Sequence, residues 1–467
     1  MIRTKVTRKL ALAGFAPAGK PGNANQTPRR VGAAVLHASG AWLACALAAG
    51  ALLLSAVPAL RAQDASTFTY NVLYTFTGLA DVGFPYAGLV RDKEGNLYGT
   101  TSLGGDLSVS CDANPGCGVV FKVDPMGNQT VLYSFTGGAD GGSSSVDSTL
   151  IRDEAGTLYG TTGAGGDMSA CGGFGCGVVF KLDSEGTETV LHAFTGGTDG
   201  SNASGLDATL VRDGAGNLYG TTYGGGDLSA CGGGGCGVVF KVDPAGRYTV
   251  LHAFTGGADG GGPESGPLVR DKAGNLYGTT QQGTVFKMAP PASPGGTWTE
   301  TVLYTFTGGA DGWNPLAGLV RDDAGNLYGA AANGGSQGAG VVFKVDPAGK
   351  ETVLYNFTGG ADGASPYGRL LRSAKGELYG TTLFGGNVNT PPCFGCGVVY
   401  KVDPGGKETV LYTFSGGTDG GNPYSSLVSD AKGNLYSTTV SGGLSGGCYG
   451  YGCGVVFQLT RLAADGQ

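Results

Sequence analysis

The chain has 467 residues, of which 93 are glycine and 20 proline, close to the proportion at which disorder is the default expectation. Its 36 acidic residues outnumber 29 basic ones, for a formal net charge of −7. That balance sets aside nucleic acid and anionic membrane surfaces as partners, because both are bound by clustered cations.

The first 62 residues are unlike the rest. They hold eight Lys or Arg and no Asp or Glu, with an apolar run from Ala41 to Leu60. A basic region, an apolar stretch and a small-residue exit form the layout of an export signal, and cleavage is expected near Ala62. The apolar run is also long enough to span a bilayer, so a retained N-terminal anchor stays open. Without residues 1–62 the chain carries 21 basic against 36 acidic groups, a formal −15.

From residue 63 onward one phrase, Val-Leu-Tyr-Thr-Phe or a near copy, recurs seven times. It starts at Val72, Val131, Val190, Val250, Val302, Val353 and Val410. A period of 51 to 60 residues kept to the C-terminus marks a tandem array of one supersecondary unit. Within residues 85–135, four apolar segments of strand length are separated by loops and turns. The first pair is joined by Asp92 to Gly95 and the second by Asp124-Pro-Met-Gly127, both with type I turn chemistry. We denote the four expected antiparallel strands a to d. Apolar residues at consecutive positions predict sheets buried on both faces. The fold class expected is all-β: a seven-bladed β-propeller of four-stranded antiparallel blades. The array opens on a strand d at Val72–Phe76 and ends on a strand c at Val455–Leu459. The N-terminal strand is therefore expected to join the last blade, closing the ring and removing a sheet edge.

The unit P-x-x-x-L-V-R-D-x-x-G-N-L-Y-G-T-T, followed by G-V-V-F-K-V-D-P-x-G-x-x-T-V-L-Y-x-F-T-G-G, resembles the Gloeobacter/Verrucomicrobia-type (GloVer) tandem repeat over essentially all of residues 70–460. It also resembles, more loosely, NHL and SMP-30-like β-propellers. The resemblance implies surface or secreted proteins with no agreed biochemical function.

Ten cysteines fall in pairs just before strand c: Cys111/Cys117, Cys171/Cys176, Cys231/Cys236, Cys393/Cys396 and Cys448/Cys453. The two repeats without cysteines also have short b–c loops, so each pair is expected to staple its own loop in an oxidising compartment. Zinc at Cys393-x-x-Cys396 is the rival, weakened because structural zinc takes four ligands.

The b–c and d–a loops emerge on one face of such a disc and are long and variable, whereas the other face carries mostly tight turns. Binding residues concentrate on loops held by a rigid scaffold. The candidate binding face is therefore the b–c/d–a face, with Phe84, Tyr86, Phe174, Trp313, Tyr367, Phe394, Tyr424, Tyr449 and Tyr451. The short b–c loops of blades 4 and 5 are expected to leave a gap in its rim. Loop packing alone also accounts for these aromatics.

No catalytic constellation stands out. His192 and His252 occupy the Tyr slot of Val-Leu-Tyr and read as structural. The d–a loop carries Asp81, Asp140, Asp199, Asp259, Asp311, Asp362 and Asp419, once per repeat. Calcium at these carboxylates is conceivable, but an Asp fixing its own turn is the simpler expectation, and no cofactor is assigned. Strand a bears Arg91, Arg152, Arg212, Arg270, Arg321 and Arg372, with Ser429 in the seventh copy; an anionic ligand is one reading of such a ring of cations near the axis, and pairing with an adjacent Asp is the simpler expectation. The resulting reading is an exported (secreted, periplasmic or cell-surface), monomeric binding scaffold for carbohydrate or protein. A propeller enzyme of lyase or lactonase type is the alternative.

Overall fold

The computed structural model describes residues 68–462, apart from 79–80, 82, 112–113, 143–147, 204–208, 264–265, 294, 388–394 and 445–447. The leader, Cys393 and Phe394 lie outside the described residues, as does the Tyr449 side chain.

Seven four-stranded antiparallel sheets follow one another along the chain. In blade 1, strands a to d are Val90–Arg91, Leu97–Thr101, Val119–Val123 and Gln129–Ser134. Blade 7 is assembled from both ends of the described chain. Its strands Val428–Ser429, Leu435–Thr439 and Val455–Arg461 are completed by Phe68–Thr75. That first strand pairs with Val455–Arg461 in antiparallel register, setting Val72 opposite Phe457 and Tyr74 opposite Val456. The ring closes as expected, and the edge that Val455–Arg461 would present is covered.

Strand a is shorter than its sequence suggests. It pairs over two residues in six blades and over Ala317–Arg321 in blade 5. The residues before it converge between neighbouring blades and bond there instead. Gly88 donates its amide to Thr149 Oγ1 at 2.7 Å, and Thr149 forms a parallel bridge with Thr209. Strand-b threonines complete the stitching: Thr161 Oγ1 donates to Ala203 O at 2.8 Å and Thr438 Oγ1 to Pro85 O at 2.9 Å.

The core lies between blades rather than within them. Val120 and Phe135 of blade 1 pack with Leu158, Val178 and Phe180 of blade 2. The closing cluster joins Phe76 and Val456 of blade 7 to Leu97, Val119 and Phe121 of blade 1. Strand c is buried on both faces, which is why its residues are apolar without alternation. The strand-c aromatic lies across a strand-b glycine. A Cβ added at Gly99 would meet the Phe121 ring at 2.7 Å, so no side chain fits there. In blade 6 that aromatic is Tyr400, fully buried, with a hydroxyl that has no hydrogen-bond partner among the described residues.

Polar seams hold the outer strands. Within Val-Leu-Tyr the Leu is an extra, bulged residue: Val120 faces Tyr133 while Phe121 faces Val131. The bulge aims the Tyr hydroxyl at the following d–a loop. Asp362 there accepts from Tyr355 OH at 2.9 Å, Thr358 N at 2.8 Å and Thr358 Oγ1 at 2.5 Å. His192 substitutes for Tyr by placing Nε2 3.2 Å from Asp199 Oδ2. The first residue of strand d then packs beside the preceding blade's Asp. Tyr248 stacks on His192 with ring centroids 3.8 Å apart and donates to Asp199 O at 2.5 Å. Glu188, Glu351 and Glu408 take this place elsewhere, each with a buried Oε1 that has no hydrogen-bond partner among the described residues. Burial first, and then the neighbouring Asp362, push the Glu408 carboxyl up to about 7.

Two outcomes follow from this packing. Tyr400→Phe removes an unsatisfied buried hydroxyl and is expected to raise the unfolding free energy by about 1 kcal/mol. A urea titration reads this, and an unchanged or lower midpoint contradicts it. The Glu408 carboxyl binds its proton more tightly folded than unfolded, so its contribution is present below the unfolded value and lost as pH rises to about 7. Glu408→Gln is accordingly expected to raise the melting temperature at pH 8 and leave it unchanged at pH 4.

Candidate functional site

The loops of the b–c/d–a face are anchored to one another. Cys111–Cys117, Cys171–Cys176, Cys231–Cys236 and Cys448–Cys453 are disulfide-bonded, each within its own b–c loop. Each bond also lies against the first glycine of the next d–a loop. A Cβ added at Gly196 would sit 2.8 Å from both Cys171 Sγ and Cys176 Sγ. In blade 4, which has no cysteines, the Trp313 ring covers the equivalent Gly308 at 3.5 Å and lies 3.0 Å from a Cβ added at Gly283. The gap expected above blade 4 is thus occupied by an indole that takes over the disulfide's packing role. Ala339 covers Gly359 in blade 5 in the same way.

The predicted aromatics divide into two groups. Phe174 and Tyr451 stand out from cysteine loops, 63% and 76% exposed. Phe84, Tyr86, Tyr424 and Tyr367 form a continuous half-buried run across blades 1, 7 and 6. Centroids are 6.3 Å apart for Phe84 and Tyr86, 5.6 Å for Tyr86 and Tyr424, and 4.6 Å for Tyr424 and Tyr367. The three tyrosines each follow a proline (Pro85, Pro366, Pro423) at the entry to strand a. Proline there fixes the backbone and sets each ring at the same height on its blade.

Phe84 is held at a conformational cost. Its φ is +61°, in the left-handed region that bulky residues avoid. Equivalent positions are Asn202, Asn314, Ser365 and Asn422, all at positive φ and all small polar residues that tolerate it. The Phe84 amide donates to Cys453 O at 3.1 Å, and Phe84 O accepts from Tyr86 N and Ser102 N. These bonds lock the strained residue against the blade 7 disulfide loop.

The other candidates are engaged within the fold. The d–a carboxylates Asp81, Asp140, Asp199, Asp259, Asp311, Asp362 and Asp419 each accept from the Thr or Ser that opens their own turn. Both histidines lie in outer strands. Burial lowers their pKa despite the attraction of Asp199 and Asp259. Among the described residues no three His, Cys, Asp or Glu gather as a metal site.

The strand-a arginines correct an expectation. Arg91 meets its adjacent Asp92 only through the backbone carbonyl, at 3.3 Å. Its guanidinium instead covers Tyr436 of the preceding blade at 5.6 Å, as Arg152 covers Tyr98 and Arg372 covers Tyr328. The Asp92 carboxylate is committed to Asn96 and Tyr98, whose hydrogen bonds outweigh burial and hold it below the usual range. Local sequence pairs Arg with Asp; the ring pairs it with a tyrosine some fifty residues away or at the other end of the chain.

The Gloeobacter/Verrucomicrobia repeat matches residues 59–283 and 280–465. No curated protein matches the chain. Among solved structures, a fungal alcohol oxidase of the AA5 family in complex with copper is 14% identical, with a TM-score of 0.52, covering 84% of this chain and 76% of that one. The extracellular domain of BT3049 from B. thetaiotaomicron, assigned to a hybrid two-component system, is 14% identical with a TM-score of 0.49. That match covers 84% of this chain but 41% of the other, so this chain spans less than half of it. A gluconolactonase from Xanthomonas campestris, XC5397, is 15% identical with a TM-score of 0.36, over 66% of this chain and 82% of that one. At 14% identity the likeness to the oxidase is one of fold. The chain belongs to the Gloeobacter/Verrucomicrobia repeat family.

Proposed function

We propose that this propeller is an exported, monomeric carbohydrate-binding scaffold that works on the b–c/d–a face without a metal. The observation that carries the reading is the aromatic run Phe84–Tyr86–Tyr424–Tyr367, built across three blades around a strained residue. Half-buried rings present apolar faces beside polar edges, the surface on which sugar rings stack while their hydroxyls reach nearby acceptors. Asn422, which donates to Leu383 O at 2.9 Å and accepts from Ser441 Oγ at 2.7 Å, sets a fixed polar group next to Tyr424. A bulky residue kept in a backbone conformation that the other blades give to small polar residues is a mark of function, since it survives only where the surroundings enforce it. Export is supported by the basic leader with its apolar run and by the four disulfides.

A glycan array followed by calorimetry on the purified protein tests the reading. Tyr86→Ala and Tyr424→Ala are each expected to weaken the best glycan about tenfold or more, the loss of a stacking contact. A glycan that binds equally well to both variants, or an array with no hit, defeats the proposal. Phe84→Asn is expected to raise stability by about 1 kcal/mol by relieving the backbone while weakening binding. EDTA is expected to leave both the melting temperature and glycan affinity unchanged.

A further inference from the structure

The opposite face, which carries the a–b turns, looks uniform in sequence but is broken at one place. Between blades 6 and 7 lies a cavity of about 410 Å³, lined by Arg372, Lys375, Glu377, Tyr379, Lys432 and Arg461 among others. Three departures from the repeat meet there. At the third position of the a–b turn, blades 1 to 5 carry Glu94, Ala155, Ala215, Ala273 and Ala324, whereas blades 6 and 7 carry Lys375 and Lys432. Strand a of blade 7 has Ser429 where the other blades have the arginine that covers the preceding tyrosine. The repeat position two residues beyond Val123, Pro125 in blade 1, is Arg461 in blade 7, where strand c runs on to include it.

These changes are concerted. Above Gly95 the Arg91 guanidinium and Pro125 share one space, 3.0 Å and 3.2 Å from an added Cβ. Above Gly433 both are gone, and Arg461 Nη1 enters from the other strand at 3.2 Å. Its amide is fixed by Asn434 Oδ1 at 2.9 Å. Arg461 thus stands in for the strand-a arginine, and it lines the cavity together with Tyr379 of the preceding blade.

The acidic groups of the cavity are already committed. Glu377 accepts from Tyr379 OH at 2.9 Å and from Lys401 Nζ at 3.2 Å. Asp430 accepts from Asn434 Nδ2 and Tyr436 OH, both within 3.0 Å. Lys375, Lys432 and Arg461 have no ion-pair partner among the described residues. Three cations without an ion pair, against one carboxylate, Asp430, whose donors are neutral, stand out around this concave, partly apolar space in a chain that is acidic as a whole.

We infer that this crevice is a second binding site, which takes a small organic anion with its oxyanion group on Lys375, Lys432 and Arg461 and its body against Tyr379 and Leu371. The cavity has the volume of a ligand pocket, room for one monosaccharide-sized acid or phosphoester. Charge-assisted hydrogen bonds from two lysines and a guanidinium supply the selectivity for anions.

Calorimetric titration of the full chain with D-glucuronate, inorganic phosphate, inorganic sulfate and neutral D-glucose tests the site. Saturable binding of at least one anion is expected, weakening with added salt. The double variant K375A/K432A is expected to lose about tenfold or more in affinity, with K375R/K432R restoring most of it. Glucuronate binding tighter than phosphate assigns a sugar acid; the reverse order assigns a phosphoester. No saturable binding of any of the three anions up to about 10 mM overturns the inference, as does full affinity in K375A/K432A. Y86A keeps anion binding and K375A/K432A keeps neutral-glycan binding, so failure of one site is not failure of the other.

Discussion

A sheet that buries both faces is stable only between two others, and this is the constraint on which the molecule rests. Strand c of each blade has no solvated side, and each hydrophobic cluster draws on two neighbouring blades. A linear stack would leave two such faces in water; a ring leaves none. Closure through Phe68–Thr75 on Val455–Arg461 is therefore a condition for the last core to exist, as well as a way of hiding an edge. The chain folds by repetition, but its final stability depends on a contact between its two ends.

The polar seams translate that ring into a rigid display. Each d–a loop is tied by its Asp to the Tyr or His of the strand before it, and each disulfide lies on the glycine beside that Asp. A loop pinned at both the carboxylate and the disulfide loses little further entropy on binding, which favours affinity from few contacts. The cost is electrostatic. Where Glu rather than Tyr lies next to the Asp, two acids share a desolvated space and one stays partly protonated near neutrality.

The architecture was legible because repetition multiplies weak signals. Leu-Tyr-Gly at strand b and Val-Val-Phe at strand c are short, ambiguous runs, and seven copies at fixed spacing remove the ambiguity. Two features escaped. Strand a reads as five to seven residues, but pairing across blades, invisible to a local pattern, shortens it. The Arg91 partner was assigned to the adjacent Asp92, whereas Tyr436 lies at the far end of the chain. Single candidate rings were readable as loop aromatics. Their assembly into one run was not, because Tyr86 and Tyr424 meet only once the ring has closed.

Departures from symmetry carry the functional information in a molecule of this kind. The repeat supplies seven equivalent environments, and packing explains what all seven share. What one arc alone possesses needs another cause. Blades 6, 7 and 1 hold the three Pro-Tyr entries and the strained Phe84 on one face. Blades 6 and 7 hold Lys375, Lys432, Ser429 and Arg461 on the other. The same arc contains the junction of the chain ends, where the last blade must accept a foreign strand and where Ser437 stands in place of the strand-b glycine. There Ser425 and Ser437, where blade 1 has Ala87 and Gly99, bond to one another at 2.7 Å. Closure already obliges this arc to differ from the others, so further substitutions there disturb no established symmetry. That freedom places both candidate sites, one aromatic and one cationic, on the blades where the ring is joined.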